Sequence, residues 1–302
     1  MGPIGQVLPK VAWPVFGRTL LETQVRFARS LGRDEIWINL HHQAAEIRSL
    51  CEGLAAFRDV RWLEERPDIL DIGGGIHNLA SQPDVNYRGE LLVLNADQFQ
   101  WFTAQELEAW KRNVPDWQVL LLNREVGSDE GYNQVLSDDV RRFLRVVPNA
   151  QVPRGTRMET YTGNGLVDLA ALKPTRGASA FFESICVPAE RACRTARVTG
   201  GRYWDFGTAS RYWSSMRGVL EVVARGDADP FIAFLLSTGT FDLALFDAAA
   251  MSYGTAAPGV INLGGKALPL GHPPGVVLSG PGARSGTTGT QLCYEGTIQA
   301  VD

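Results

Sequence analysis

The sequence predicts a doubly wound α/β fold followed by a Gly/Pro-rich C-terminal region of β-type or irregular structure. Three observations carry this expectation. Apolar stretches of helical and strand period alternate from residue 19 to about residue 122. Two strand-like stretches, Leu91–Asn95 and Val119–Leu122, are apolar on both faces, as in a parallel sheet covered by helices on either side. After Tyr253 the composition shifts: eleven glycines and five prolines fall between Gly254 and Gly296, too many for continuous helix.

The elements follow in order. Thr19-Leu-Leu-Glu22 has the form of a capping box, and Leu20, Leu21, Val25, Ala28 and Leu31 recur at helical spacing until Gly32. Glu35–Leu40 reads as a short strand, and Ala44, Ile47, Leu50, Cys51 and Leu54 mark a second helix. Val60–Leu63 is a strand, and a helix is expected to begin at Ile76, after three glycines. Thr103-Ala-Gln-Glu106 caps the helix between the two fully apolar strands. Beyond residue 124 the pattern loosens. Tyr161–Val167 reads as a strand, Phe181–Cys193 as a helix, and Thr208 caps a helix with Tyr212, Met216, Val219, Leu220 and Val223 on its buried stripe. Gly275–Leu278 and Leu292–Ile298 are short apolar pieces that suggest a β-rich appendage, with too few repeats to define a β-helix.

The 302 residues allow one large or two smaller domains, and 45% hydrophobic with 21% charged residues is an ordinary globular composition. No run of about 18 apolar residues indicates a membrane span, and the start lacks the pattern of a secretory leader. A net charge of −4 argues against a nucleic-acid surface. The four cysteines, Cys51, Cys186, Cys193 and Cys293, lack C-x-x-C spacing and fit reduced thiols in a cytoplasmic protein.

Two acids stand out. Asp97 closes the Leu91-Leu-Val-Leu-Asn-Ala-Asp97 run, and Asp205 precedes the Gly-Thr turn of Tyr203-Trp-Asp-Phe-Gly-Thr208. Acids on rigid supports at the sheet edge, where open α/β sheets bind ligands, can share one hard cation that organises phosphates. The alternative for each is an ordinary strand-end or turn aspartate. His41 and His42 are adjacent and so point apart on a strand, which disfavours chelation of one ion. Trp13, Trp204 and Trp213 read as packing residues. Gly280–Gly286 mimics a phosphate loop but lacks its G-K-[ST] ending.

Six segments, in order, resemble the sugar-1-phosphate nucleotidyltransferase family. They are Leu8-Pro-Lys-Val-Ala-Trp-Pro-Val15 with Gly17, Ile38–His42, Asp71-Ile-Gly-Gly-Gly-Ile76, Asn95-Ala-Asp97, Tyr161–Gly165 and Trp204–Thr208. The glycine segment is closest to the mannose-1-phosphate guanylyltransferase and N-acetylmuramate-1-phosphate uridylyltransferase branches. The resemblance covers roughly residues 8–220. It implies a three-layer Rossmann-like fold with a mixed, mostly parallel sheet over residues 1–225, followed by a helical segment and the Gly/Pro-rich region over 226–302. It further implies transfer of a nucleoside monophosphate from an NTP to a sugar 1-phosphate, with Mg2+ held by Asp97 and Asp205. Lys10 would supply charge to the phosphates, Gly73, Gly74 and Gly75 would approach the nucleobase, and Gly163 would lie near the sugar. Glu64 either frames this site or is a solvated strand end. Self-association is left open.

Two departures from the family pattern matter. The family opens with a strand and a G-x-G-T-R loop before the lysine segment, and its E-K-P segment carries a further lysine; neither is recognisable here. Met1 falls where the residue after that arginine would stand, so the missing strand and loop are expected to be encoded upstream. In the family that strand lies between those corresponding to Glu35–Leu40 and Leu91–Asn95, so the chain as written should leave two strand edges facing a gap, with low stability. A non-catalytic nucleotide-sugar-binding paralogue and a glycosyltransferase of similar topology are the alternatives. The latter usually carries D-x-D, where this chain has Asn95-Ala-Asp97.

Overall fold

The computed structural model describes residues 2–199, 202–226, 229–255, 257–266, 268, 272–279, 289–295 and 297–301. Gly280–Gly286 therefore lies outside the described residues. The chain starts with helix α1 (Gly2–Val7) and a tight hairpin, β1 (Pro14–Val15) and β2 (Arg18–Thr19). Helix α2 (Leu20–Ser30) follows, with the Thr19 hydroxyl accepting from the Glu22 amide at 3.1 Å. The Glu22 carboxylate does not complete the capping box; it is buried between Arg18 and Arg26. Gly32 ends the helix at φ 73°, a left-handed stop that suits glycine. Strand β3 (Trp37–Leu40), helix α3 (Ala44–Cys51) and strand β4 (Arg61–Glu64) form a βαβ unit, with β3 and β4 paired in parallel.

Helix α4 (Asp71–Ala80) starts earlier than expected and carries Gly73, Gly74 and Gly75 inside its first turns. All three keep negative φ; their role is close approach rather than a turn. A Cβ on Gly73 would stand 2.5 Å from the Ala180 carbonyl oxygen, and one on Gly74 2.5 Å from that of Gly177. Then come β5 (Glu90–Val93), β6 (Gln98–Gln100), α5 (Ala104–Asn113), β7 (Val119–Gly127), the hairpin β8 (Gln134–Ser137) and β9 (Phe143–Val147), and the long β10 (Arg157–Asp168). Both halves of the Thr103/Glu106 capping box form.

The helix expected over Phe181–Cys193 is shorter. Helix α6 spans only Phe181–Ser184, and Cys193 opens strand β11 (Cys193–Arg197). Pro188 cannot donate to a helical ladder, and the Arg191 guanidinium is drawn onto the Ser184 carbonyl at 2.7 Å. Strand β12 (Tyr203–Asp205), helix α7 (Ala209–Ala224) capped by Thr208, and helix α8 (Pro230–Ser237) lead to the C-terminal strands. These are β13 (Phe246–Asp247), β14 (Ser252–Tyr253), β15 (Val260–Asn262), β16 (Gly275–Ser279), β17 (Gln291–Tyr294) and β18 (Thr297–Ala300), which form one six-stranded sheet. Its inner pairs, β14 to β17, are parallel and its two outer pairs antiparallel.

The central sheet runs β11-β7-β10-β5, with β7 and β11 parallel and β10 antiparallel to both neighbours. Strand β7 shows how it is covered. Leu120 and Leu122 join the cluster of α5, α7 and α8, whereas Val119 and Leu121 join that of α4 and α6. Alternate side chains point to opposite faces, so a continuous apolar run means two helical layers around one sheet. The first cluster also takes in Ile4, Phe231, Val276 and Leu292, so the C-terminal strands share a core with the helices around the sheet. The expectation for Leu91–Asn95 needs correction. Strand β5 has only the antiparallel β10 as partner among the described residues, and all four of its residues are half-buried rather than buried.

Candidate active site

Lys10 lies in a single 3-10 turn (Lys10–Ala12) fixed by Pro9, and its Nζ donates to Asp97 Oδ2 at 2.5 Å. Asp97 lies just before β6, which pairs antiparallel with β12 so that Asp205 stands opposite Gln98. The Phe206 amide donates to the Asp97 carbonyl at 2.8 Å. Two segments more than a hundred residues apart are thereby clamped together, and the two acids with them. The chain then turns at Gly207, whose amide donates to Asp205 Oδ1 at 2.6 Å. A Cβ at Gly207 would stand 2.7 Å from Asp205 Oδ1 and 3.6 Å from Lys10 Nζ. A side chain at this position would crowd the Asp205 carboxylate and press on the Lys10 ammonium, which itself holds Asp97.

Asp205 is buried and well held. Its Oδ2 accepts from the Tyr132 hydroxyl at 2.8 Å and from Arg211 Nη1 at 2.9 Å, while Ser215 Oγ donates to its carbonyl at 2.8 Å. Arg211 sits on the first turn of α7, where a cation opposes the helix macrodipole. The Asp205 carboxylate and the Tyr132 ring, 4.7 Å from the guanidinium, offset that cost. Arg124 lies over Tyr203 at 4.2 Å and Tyr132 at 5.0 Å, and pairs with Glu130 at 2.9 Å. Burial, then the bond to Asp205, pushes the Tyr132 phenol above its ordinary value, so it stays a donor.

The glycine positions divide. Gly75 and Gly163 line one cavity of about 270 Å³, together with Asn39, Asn95, Ala96 and Tyr161. Gly163 adopts φ 77° at the bulge of β10, where a Cβ would stand 2.5 Å from Gln98 Oε1. Gly73 and Gly74 are instead covered by the 177–184 segment, and the Gly74 amide is taken by the Ser179 carbonyl at 3.0 Å. Glu64 is a surface strand end that pairs with Arg66 and Arg48. Its neighbour Glu65, which sequence reasoning passed over, is the buried acid: it accepts from Asn39 Nδ2 at 3.0 Å and the Leu70 amide at 2.8 Å. His41 and His42 are exposed, and Trp13 and Trp204 are buried packing residues. Tyr132, Arg124 and Arg211 were also missed. Only Arg211, three residues after the helix-capping Thr208, had a sequence position that aims it back at Asp205.

Among the described residues no group of three or more His, Cys, Asp or Glu side chains could hold a metal, and no helix is long and apolar enough to cross a membrane. Asp97 and Asp205 nevertheless fit a cation that arrives with its own ligands. The hydrogen bonds of Asp97 fall on Oδ2, and Asp205 Oδ1 accepts only from the Gly207 amide among the described residues, so each carboxylate retains acceptor capacity. Magnesium is typically bound by one or two carboxylates together with phosphates and water.

No family profile matches the chain. In sequence it is 27% identical over 161 residues to the bifunctional protein GlmU of Synechococcus sp. (strain RCC307), covering 53% of this chain and 34% of that protein. It is 26% identical over 160 residues to GlmU of Prochlorococcus marinus (strain MIT 9211), covering 52% and 34%. The chain thus spans about a third of the length of the curated relatives it matches. Among solved structures, HddC from Yersinia pseudotuberculosis superposes with a TM-score of 0.58 at 16% identity, covering 70% of this chain and 90% of that one. The same protein has been solved with GMP-PN, with a TM-score of 0.59. A Bacillus anthracis protein assigned as a glucose-1-phosphate thymidylyltransferase, solved with sucrose, gives 0.54 at 16% identity, covering 72% and 88%. The likeness to solved structures establishes a Rossmann-like fold, and with the sequence likeness it supports the sugar-1-phosphate nucleotidyltransferase family for this chain.

Proposed function

We propose that the chain transfers a nucleoside monophosphate from a nucleoside triphosphate to a sugar 1-phosphate. An oxygen of the sugar phosphate attacks the α-phosphorus of the triphosphate. The bond from that phosphorus to the bridging oxygen breaks, and its electron pair leaves on pyrophosphate. Such a reaction needs two anions held in line and their charge neutralised, with no covalent step on the protein. The observation that supports the reading is Lys10, whose ammonium pairs with Asp97 at 2.5 Å and would lie 3.6 Å from a Cβ on Gly207, the residue whose amide binds Asp205.

Lys10 would bind phosphate oxygens, with Asp97 fixing the direction of its ammonium. Asp97 and Asp205 would hold a magnesium ion, which supplies further charge neutralisation at the phosphates. Arg211 and Arg124, stacked on Tyr132, would supply the positive charge that the family draws from its E-K-P lysine. Gly75 and Gly163 would border the nucleobase and sugar from the cavity they line. Guanine is the base to test first, because HddC was solved with GMP-PN, and mannose 1-phosphate is the first sugar.

The test is pyrophosphate release with four nucleoside triphosphates against a panel of sugar 1-phosphates. Release that requires both substrates supports the proposal. A second reading is nucleotide-sugar binding without turnover, and the same assay separates the two. Calorimetric binding of a nucleotide sugar with no pyrophosphate from any pair would replace the first reading with this one. Consumption of a nucleotide sugar in the presence of an acceptor would point to glycosyl transfer.

A further inference from the structure

Asp205 already carries a cation supplied by this chain. Its Oδ2 accepts from Arg211 Nη1 at 2.9 Å, and that is the one hydrogen bond of the Arg211 side chain among the described residues. The structural ion pairs of the fold are built differently. Arg141 grips Glu159 with both terminal nitrogens at 2.9 Å, and Arg26 reaches Glu22 Oε1 through Nε at 3.0 Å and Nη2 at 2.8 Å. Two bonds from one guanidinium fix its plane, whereas a single bond leaves it free to pivot. The Arg211 side chain is also far more exposed than the carboxylate it meets.

Asp205 does not depend on this arginine for its place. The Gly207 amide holds Oδ1 at 2.6 Å, the Tyr132 hydroxyl holds Oδ2 at 2.8 Å, and Ser215 Oγ holds the backbone carbonyl at 2.8 Å. The carboxylate keeps these donors if the guanidinium leaves. Arg211 for its part lies on the first turn of α7, where the helix dipole works against a cation. The Tyr132 ring, 4.7 Å from the guanidinium, gives it a face on which to turn. Lys10 with Asp97 and Arg211 with Asp205 make two balanced pairs. A divalent cation arriving alone at Asp205 meets a like charge on the same carboxylate. A polyphosphate arriving with it reverses the balance, because its oxygens bind both the cation and the guanidinium.

We infer that Arg211 is the exchangeable counter-ion of Asp205. In the free protein it neutralises the carboxylate. On binding it gives up the carboxylate to a divalent cation and turns its guanidinium to the phosphates that came with that cation. The site therefore discriminates against a bare cation and selects one already bound to a polyphosphate. The inference rests on the proposed reading of Asp205 as a cation ligand, and adds to it the order in which charges are exchanged.

The test measures binding rather than turnover, on the whole chain. Binding of Mn2+ alone is read by electron paramagnetic resonance. Binding of the Mn2+ complex of inorganic tripolyphosphate is read by calorimetry, so the identity of the base plays no part. Arg211→Gln should bind Mn2+ alone about tenfold more tightly than wild type, and Mn2+–tripolyphosphate about tenfold more weakly, the size of a typical coupling between sites. These opposite signs are the signature, since a folding defect weakens both. Arg211→Lys keeps the charge and should stay within about twofold of wild type for Mn2+ alone. Adding Asp205→Asn to Arg211→Gln should abolish the tighter binding. Arg217→Gln removes a charge from the same helix, where Arg217 pairs with Glu221 at 3.8 Å, and should change neither affinity. Unchanged Mn2+ affinity in Arg211→Gln overturns the inference. So does a gain that persists without Asp205, a gain of equal size in Arg217→Gln, or a weakening of both ligands. Pyrophosphate release separates this inference from the transfer reaction. Metal-dependent release by wild type, with no change of Mn2+ affinity in Arg211→Gln, defeats the exchange alone. Exchange without release from any substrate pair defeats the transfer alone.

Discussion

Replacing Asp205 by asparagine tests the site at the point where its geometry is most constrained. Asparagine keeps one oxygen, which can still accept from the Gly207 amide, held at 2.6 Å in the wild type. Its other terminal atom becomes an NH2 donor facing two donors, the Tyr132 hydroxyl at 2.8 Å and Arg211 Nη1 at 2.9 Å. The hydroxyl can rotate and accept, so that contact survives in reverse. The guanidinium cannot accept and loses its partner. One charge-assisted bond, worth about 1.5–3 kcal/mol, is therefore lost. The Arg211 side chain is 40% exposed, so water recovers part of this, and the net cost should be about 1–2 kcal/mol. The assay is equilibrium urea unfolding followed by far-ultraviolet circular dichroism, with Arg211→Met and the double variant completing a cycle. The Asp205–Arg211 coupling should be about 1 kcal/mol. In the same variant, pyrophosphate release should fall about 100-fold or more while cooperative unfolding is retained. A single variant within about 0.3 kcal/mol of wild type, or a cycle with no coupling, would refute the account of how Asp205 is held. Loss of stability with full turnover would remove Asp205 from the chemistry and leave it a structural acid.

Lys10→Met should abolish most pyrophosphate release yet cost under about 1 kcal/mol of stability in urea, because Asp97 is one-third exposed and can be rehydrated. Gly163→Ala should lower stability by about 1–2 kcal/mol, measured by thermal melting, since alanine is strained at φ 77° and its Cβ would stand 2.7 Å from that of Asn95. Burial alone would raise the Glu159 carboxyl, but hydrogen bonds and charge from Arg141, a bond from Asn123 and the charge of Arg197 outweigh it and hold it below the ordinary value of 4.5. A depressed folded value means that the unfolded chain takes up this proton first as pH falls. The stabilisation is therefore complete above the ordinary value and is lost as pH drops from there through the folded one. Melting temperature against pH should fall more steeply on the acid side for wild type than for Glu159→Gln; parallel curves would show that Glu159 contributes nothing there.

Much of this protein is written in local pattern. Val119–Leu122 determines a strand buried on both faces, because four apolar residues in a row leave no polar face to point at water. Thr19, Thr103 and Thr208 each determine a helix start, because a hydroxyl before the first turn meets an amide that nothing else in the helix can satisfy. Asp97 and Asp205 stood out because an acid at the end of an apolar strand is anomalous locally. What pattern could not decide depends on which distant segment arrives. Gly73 and Gly74 look like a turn but serve the close approach of the 177–184 backbone, over a hundred residues away. Glu64 and Glu65 are equivalent in sequence, and only the position of Asn39 and the Leu70 amide makes one of them the buried acid. Tyr132 reaches Asp205 from a distant segment and Arg124 lies over the Tyr132 ring, so no spacing along the chain records either; only Arg211, on the turn that Thr208 caps, stands near enough in sequence to be placed. Leu91–Leu94 has the composition of a central strand. Whether it is buried depends on a neighbour at its free edge, and an apolar side chain carries no information about which strand will lie beside it.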